Sequence, residues 1–378
     1  MSRFIAFYLP QFHPIPENDE WWGRGFTEWT NVAKATPLFR GHVQPRIPAD
    51  LGFYDLRLPD IREQQVQLAK EAGIEGFCYY HYWFGNGRQL LERPFNEVVD
   101  SGKPDFPFCL CWANHSWGSS TWTNTTKKTS KTLFVEQQYL GEKDNEQHFY
   151  SLIKAFQDKR YIRVDGKPLF VIYDPFHFDN VRSFLAQWRE LAKKNHIEDF
   201  HFVGIVNPSS YKSFRKDGED ATSRINEILD LGFDAVSTDG KFRAQLLAKG
   251  KIKAAYHVLL SRKLGVTRPN VFKQSDINKY LFTDNDSREN VYPTILPNWD
   301  RTPRCKSDSI YIDSTPQVFE ECARKVLEII STKSDEHQVV FIKSWNEWGE
   351  GNYMEPDMQY GKGYIEALSR AIHSLNEI

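Results

Sequence analysis

Within the segment Trp345-Asn346-Glu347-Trp348-Gly349-Glu350-Gly351, two carboxylic acids stand three residues apart among two tryptophans, an amide and two glycines. Cleavage of a glycoside needs such a pair. One carboxylic acid protonates the leaving oxygen, and a second carboxylate stabilises, attacks or deprotonates on the sugar side. If the segment turns helically, positions i and i+3 face the same way, and the glycines permit the bend this requires. Charge repulsion and the flanking rings should then push the two pKa values apart, separating acid from base. The plainer alternative is a solvated loop with incidental acids, but a Trp-Asn-Glu-Trp run is costly to expose.

The remaining polar candidates stand near other aromatic bursts. Glu28, in Gly25-Phe26-Thr27-Glu28-Trp29, is a candidate acceptor for a sugar hydroxyl, or an anchor for its own loop. Asp50, Asp55, Glu355 and Asp357 read as loop, cap or rim residues. His13, His81, His115 and His257 are candidate donors, but none shows HxH or HExxH spacing, so no metal site is expected. No GxGxxG, P-loop or GxSxG is present, so the chain shows no dinucleotide, phosphate-loop or serine-hydrolase signature, and no cofactor is expected. The 11 Trp and 17 Tyr, within an aromatic content of 15%, often adjoin Asn, His, Asp and Glu. That mixture suits a carbohydrate partner: a pyranose presents C–H faces to aromatic rings and hydroxyl edges to amides and carboxylates.

To converge, these residues need a scaffold. Eight short apolar runs alternate with amphipathic stretches: Phe4 to Leu9, Gly76 to Tyr80, Phe106 to Cys111, Leu169 to Tyr173, Phe202 to Val206, Ala235 to Thr238, Tyr292 to Leu296 and Val339 to Ser344. The pattern predicts an α/β fold, a single-domain (β/α)8 TIM barrel; an open doubly wound sheet ranks second. Helices are expected where Ile61, Gln65, Leu68 and Ala72 share a face before Gly73, around Phe184, Trp188 and Leu191, and along Val318, Cys322, Val326 and Ile329. Phe149, Ile153 and Phe156 form a weaker repeat.

In such a barrel the strand C-termini open on one face. There the strand ends would gather Tyr8 and His13, then His81, Tyr82 and Trp83, then Trp112, Asn114 and His115, then Tyr173, Asn207-Pro208, Thr238-Asp239, Trp299, and Trp345 with Asn346. Trp22, Glu28 and Trp29 would join them from the first of two long βα loops, Pro10 to Pro59 and His115 to Leu140. Connections of that length usually shape a site. Lys241 to Asn290 reads as an insertion with some helix.

Bulk properties narrow the partners. The 378 residues are enough for one large barrel, and 48 Lys plus Arg against 50 Asp plus Glu give no broad reason to bind nucleic acid. Cys78, Cys109, Cys111, Cys305 and Cys322 lack CxxC spacing and read as buried thiols rather than disulfides. No run of about 18 apolar residues predicts a membrane span. The first residues show no signal peptide, so a cytoplasmic location is expected, and the sequons at Asn114 and Asn124 have no bearing without secretion. Oligomeric state is not readable.

The assembled motifs resemble a known family. Ala6-Phe7-Tyr8-Leu9-Pro10-Gln11-Phe12-His13, Trp22-Gly23-Arg24-Gly25-Phe26-Thr27-Glu28-Trp29, Ala49-Asp50-Leu51-Gly52-Phe53-Tyr54-Asp55-Leu56-Arg57, Gly76-Phe77-Cys78-Tyr79-Tyr80-His81-Tyr82-Trp83-Phe84 and Trp345 to Gly351 are similar to the WbsX family, the glycoside hydrolase family 99-like proteins. The resemblance implies a (β/α)8 barrel related to retaining endo-α-mannosidases, and an association with bacterial O-antigen, lipopolysaccharide and other polysaccharide loci. It further implies that Glu347 deprotonates the sugar 2-hydroxyl, which attacks its own anomeric carbon, while Glu350 acts as acid and then base. Tyr8 would fall near a sugar-subsite tyrosine and Glu28 near a hydroxyl-binding acid. One departure stands out: the family often has Trp-Ala-Asn-Glu where this chain reads Trp112-Ala113-Asn114-His115, which bears on substrate identity. The expectation is therefore a retaining glycoside hydrolase. A glycosyltransferase or transglycosylase is the first alternative, and a non-catalytic glycan-binding barrel the second.

Overall fold

A computed structural model describes residues 2–119, 132–206, 221–249, 269–306 and 308–374. The eight apolar runs form the eight parallel strands of a closed barrel. These are β1 (Arg3–Tyr8), β2 (Gly76–His81), β3 (Phe108–Trp112), β4 (Lys167–Ile172), β5 (His201–Val206), β6 (Ala235–Thr238), β7 (Val291–Ile295) and β8 (Val339–Ile342). The order around the barrel is β3-β2-β1-β8-β7-β6-β5-β4, and β4 pairs back to β3, with Leu110 opposite Phe170. The open-sheet alternative is thereby excluded. Strand residues are buried almost throughout, because a parallel barrel covers both faces of each strand, with side chains inside and helices outside.

The outer helices follow the predicted periodicities. Pro59–Glu71 carries Val66, Leu68 and Ala69 inward and ends before Gly73, whose φ of +79° an L side chain would resist. Val181–Lys194 buries Phe184, Trp188 and Leu191, and Pro316–Ile330 buries Cys322 and Val326 beneath a Thr315 N-cap. The weaker repeat proves to be two helices, Glu142–Ser151 and Ile153–Gln157, broken at Leu152.

Three features escaped the sequence reading. A two-residue strand, Arg163–Val164, folds back antiparallel on β4. Within Lys241 to Asn290, a helix (Lys241–Lys249) is joined by a strand, Asn270–Lys273, that pairs parallel with Ser309–Ile312. The first long loop carries helices Pro16–Trp22 and Glu28–Ala33, and the second a small antiparallel pair, Trp117–Gly118 with Leu133–Val135. Asn124, Asn207-Pro208 and His257 lie outside the described residues. All five cysteines are free; four are buried, whereas Cys305 is half-buried, in the loop after β7. Among the described residues no helix is long and apolar enough to cross a membrane, and no cluster of His, Cys, Asp and Glu is placed to hold a metal ion.

Candidate active site

The chain leaves β8 through Lys343, Ser344 and Trp345 and then makes a tight hairpin. Asn346–Glu347 pairs antiparallel with Asn352–Tyr353, and a 3₁₀ turn, Trp348–Glu350, forms the bend. Glu347 is the N-cap of that turn and Glu350 its last residue, and Arg304 Nη1 holds both carboxylates on one side. Both glycines are required here. Gly351 closes the turn at φ +53°, and a Cβ on Gly349 would lie 1.8 Å from Glu28 Oε2.

That hairpin is held from below. Asn346 exchanges two hydrogen bonds with the Leu9 backbone, accepting from its N–H (2.8 Å) and donating to its carbonyl (3.0 Å). Glu355 accepts from Trp348 Nε1 (2.6 Å), Tyr54 Oη (2.9 Å) and Gln65 Nε2 (2.6 Å). Burial raises the Glu355 carboxyl to about 7 in spite of these donors.

Arg304 organises the acids. Its Nη1 donates to Glu347 Oε1 (2.9 Å) and Glu350 Oε1 (2.7 Å), while Nε donates to Glu28 Oε2 (3.1 Å). Because both Oε1 atoms share one nitrogen at 2.9 and 2.7 Å, they are at most 5.6 Å apart. Arg301 Nε donates to the same Glu350 oxygen (2.9 Å), and its Nη1 reaches Asp308 (2.9 Å). Burial and then the Glu350 charge raise Glu347 to about 7. Burial would raise Glu350 too, but Arg304, Arg301, Lys241 and Lys343 outweigh it and hold that carboxyl down. Charge environment thus separates the pair, as the spacing led one to expect, and below about pH 7 the proton is favoured on Glu347 over Glu350.

The pocket above the pair is lined by Leu9, Gln11, Tyr80, Tyr82, Ala113, His115, Trp117, Tyr173, Arg301, Arg304, Lys343, Glu347 and Glu350. Residues from six barrel strand ends meet there: Leu9 follows β1, Tyr80 and Tyr82 come from β2, Ala113 and His115 follow β3, and Tyr173 follows β4. Arg301 and Arg304 stand after β7, and Lys343 opens the hairpin after β8. Larger cavities elsewhere, such as one between Arg57, Arg93 and Lys103, hold no comparable carboxylate pair.

Of the residues singled out in the sequence, Glu347, Glu350, Tyr82, His115 and Tyr173 face this pocket. Glu28 is fully buried behind Arg304. Tyr8 lies below the pocket, 1% exposed, with its hydroxyl donating to Gln65 (2.7 Å). Trp29 donates to the Tyr54 carbonyl and packs on Trp348. His81 is bonded to His148 (2.8 Å), Trp83 donates to Asp144, and Trp112 donates to the Trp83 carbonyl. Asn114 bridges Tyr139 and the Asp174 backbone. His13 is buried near Asp55, away from the pocket lining. Trp345 packs on Phe77 within the core, and Trp299 bonds Ser309 while its face carries the Lys241 ammonium at 3.0 Å. Trp22 packs on Phe26 and Phe134 beside the pocket. Many aromatic bursts are therefore packing layers beneath the site rather than its walls.

Sequence reasoning missed Arg301, Arg304, Lys343 and Tyr80. The arginines stand just past the Pro297-Asn298-Trp299-Asp300 burst, and position after a strand end was the available signal. Nothing in the sequence shows that one guanidinium spans three acids.

Comparison with known proteins adds the following. The sequence model of the family described as Glycosyltransferase WbsX matches residues 4–368. Two proteins of Xanthomonas campestris pv. campestris, from strains B100 and ATCC 33913, both described as uncharacterized protein WxcX, are each 34% identical over 98% of this chain and 50% of their own length. The chain thus spans about half the length of these relatives. Among solved structures, a glycoside hydrolase-like protein superposes with TM-score 0.59 at 16% identity, covering 98% of this chain and 93% of its own. The GH99 endo-alpha-mannosidase from Bacteroides thetaiotaomicron gives TM-score 0.53 at 15% identity, covering 99% and 97%. At such identities these likenesses show the barrel fold.

Proposed function

Since the chain belongs to the WbsX glycosyltransferase family, we propose that it is a retaining glycoside-processing enzyme whose Glu347 and Glu350 work as one catalytic pair. The observation that carries this reading is the pair's geometry: two acids on one hairpin, their Oε1 atoms no more than 5.6 Å apart across Arg304 Nη1. Carboxylates so close fall short of the roughly 6.5–9.5 Å that inverting enzymes need to admit a water, which favours retention.

In this reading Glu347 takes the proton of the sugar 2-hydroxyl, and that oxygen attacks the anomeric carbon as the glycosidic bond breaks. Glu350 gives its proton to the leaving oxygen; the acceptor then attacks the anomeric carbon and breaks its bond to O2, as Glu350 takes the acceptor's proton and Glu347 returns its own to O2. The pair carries one proton near neutrality, the number these roles require. It rests on Glu347, so the bound sugar must draw it to Glu350. Tyr80, Tyr82 and Tyr173 supply ring faces and phenols for the sugar, and His115 replaces a negative charge with a neutral or positive group at the third strand end.

Water is the acceptor we favour, making the enzyme a hydrolase acting on an α-mannoside-like bacterial oligosaccharide or polysaccharide. Transfer to a sugar in O-antigen or lipopolysaccharide synthesis is the second reading, favoured by the family's description and by the Arg301 and Lys343 charges in the pocket.

Leaving-group dependence tests the roles. A screen of α-mannosides and other glycosides, with and without sugar nucleotides, finds the substrate, and NMR of the first-formed anomer reads retention. Glu350→Gln is then expected to lose about 10²- to 10⁴-fold on ordinary glycosides but little on glycosyl fluorides, which need no protonation. Glu347→Gln should lose on both, with no sugar adduct on the protein. The opposite pattern would exchange the two roles.

A further inference from the structure

Beside the catalytic pocket lies a second, much smaller recess that none of the chemistry above uses. The helix Pro16–Trp22 in the first long loop faces the strand pair of the second, and the gap between them is walled by Trp21, Trp22, Trp117 and Phe134. The rings are packed, with Trp21 stacked on Phe134 at 5.1 Å and edge-on to Trp117 at 6.2 Å. Gln11 and Trp117 line both this recess and the catalytic pocket, so the two adjoin.

Two amides line the recess with buried polar atoms that have no protein partner. Asn18 is fully buried with neither Oδ1 nor Nδ2 hydrogen-bonded, and Gln11, 2% exposed, has no acceptor for Nε2. An unpaired buried polar group is destabilising, and an apolar side chain at Asn18 would avoid that cost among these rings. The free volume is about 20 Å³, close to what one water-sized oxygen fills. Unpaired donors on both amides together with the Asn18 acceptor match a hydroxyl, which both donates and accepts.

We propose that this recess is a specificity pocket for the exocyclic hydroxymethyl group of a hexose bound in the adjoining site. A ring hydroxyl oxygen is bonded directly to a ring carbon, whereas a CH2OH arm carries its oxygen one carbon farther out on a rotatable bond. Its methylene can lie against Trp117 while its oxygen meets Gln11 and Asn18. A 6-deoxy sugar would place a methyl group against the same amides and leave them unpaired. Sites built around a substrate hydroxyl reject the analogue lacking it far more strongly than apolar pockets reject a missing methylene. The proposal rests on the catalytic pocket taking a sugar, but not on its turning one over.

Binding therefore tests it. Ligand-observed NMR titrations would compare D-mannose with D-rhamnose, D-glucose with 6-deoxy-D-glucose, and D-galactose with D-fucose, on the native chain and on Asn18→Leu. At least one hydroxymethyl sugar is expected to bind about tenfold or more tightly than its 6-deoxy partner. In Asn18→Leu that margin should fall below about threefold while the melting temperature holds or rises, since the variant loses an unpaired amide. Equal binding within every pair, a margin that survives in Asn18→Leu, or no binding by any of the six sugars overturns the proposal. A chain that discriminates these sugars yet turns over no glycoside would refute the catalytic reading and leave the pocket standing.

Discussion

Glu347 and Glu350 differ in environment more than in position. Both are buried, yet Glu350 receives two guanidiniums where Glu347 receives part of one. The proton lost near pH 7 therefore belongs to the pair as a unit. A working pair needs one proton, so kcat/KM should fall about tenfold per unit as pH rises through about 7 and stay level toward pH 5. A profile rising through pH 7 would mean that the doubly ionised pair is the active form. Arg304 is the residue on which this balance depends. Replacing it by Met strands the buried Glu28, Glu347 and Glu350, and about 3–5 kcal/mol of stability should be lost in denaturant titrations. Lys in its place should not restore the loss, because a point charge cannot span three acids.

At the scale of elements, the hairpin after β8 acts as a rigid bracket. Asn346 fastens it to the end of β1, Glu355 fastens it to the Pro59–Glu71 helix through Gln65, and the 3₁₀ turn sets the direction of both catalytic acids. Its two glycines should fail differently. Gly351→Ala is strained by its positive φ and meets Asp300 backbone atoms at 2.9 Å, so it should destabilise the fold by about 1–3 kcal/mol. Gly349→Ala displaces only the Glu28 and Arg304 side chains, so its melting temperature should fall less while activity falls more. Equal effects of the two variants in paired melting and activity assays would contradict this division.

Across the whole molecule, buried titratable groups make stability depend on pH, and two sets oppose each other. Glu347 and Glu355 are raised to about 7, so the stability they contribute is present below their unfolded value of 4.5 and is lost as pH rises to about 7. Burial lowers His13 to about 4, His81 and His201 to about 3, and His148 as well. Their contribution is present above 6.5 and lost as pH falls. Burial also lowers His115 and raises Glu28, so between pH 6.5 and 4.5 five histidines act against three glutamates, and the urea midpoint should drop on acidification. A midpoint that rises over that interval would show the glutamates to dominate.

The barrel and its carboxylate pair were legible in the sequence because both rest on local signals: runs of apolar residues long enough for buried strands, and an i, i+3 spacing between glycines. The small strands Arg163–Val164 and Asn270–Lys273 were not, since one is two residues long and the other largely polar and only partly buried, so neither makes an apolar run. Aromatic bursts at strand ends were ambiguous for a related reason. Tyr8, Trp83 and Trp112 share their neighbourhoods with Tyr80, Tyr82 and Tyr173, but alternation along a strand sends some side chains out against the surrounding elements, as Tyr8 to Gln65, and others inward beneath the mouth. Which acid keeps the proton, and which amides are left unpaired beside it, depends on groups that come from Gln11, Asn18, Arg301, Arg304 and Lys343. These are far apart along the chain, and charge and desolvation act through space. Only closure of the barrel brings them within a few ångströms.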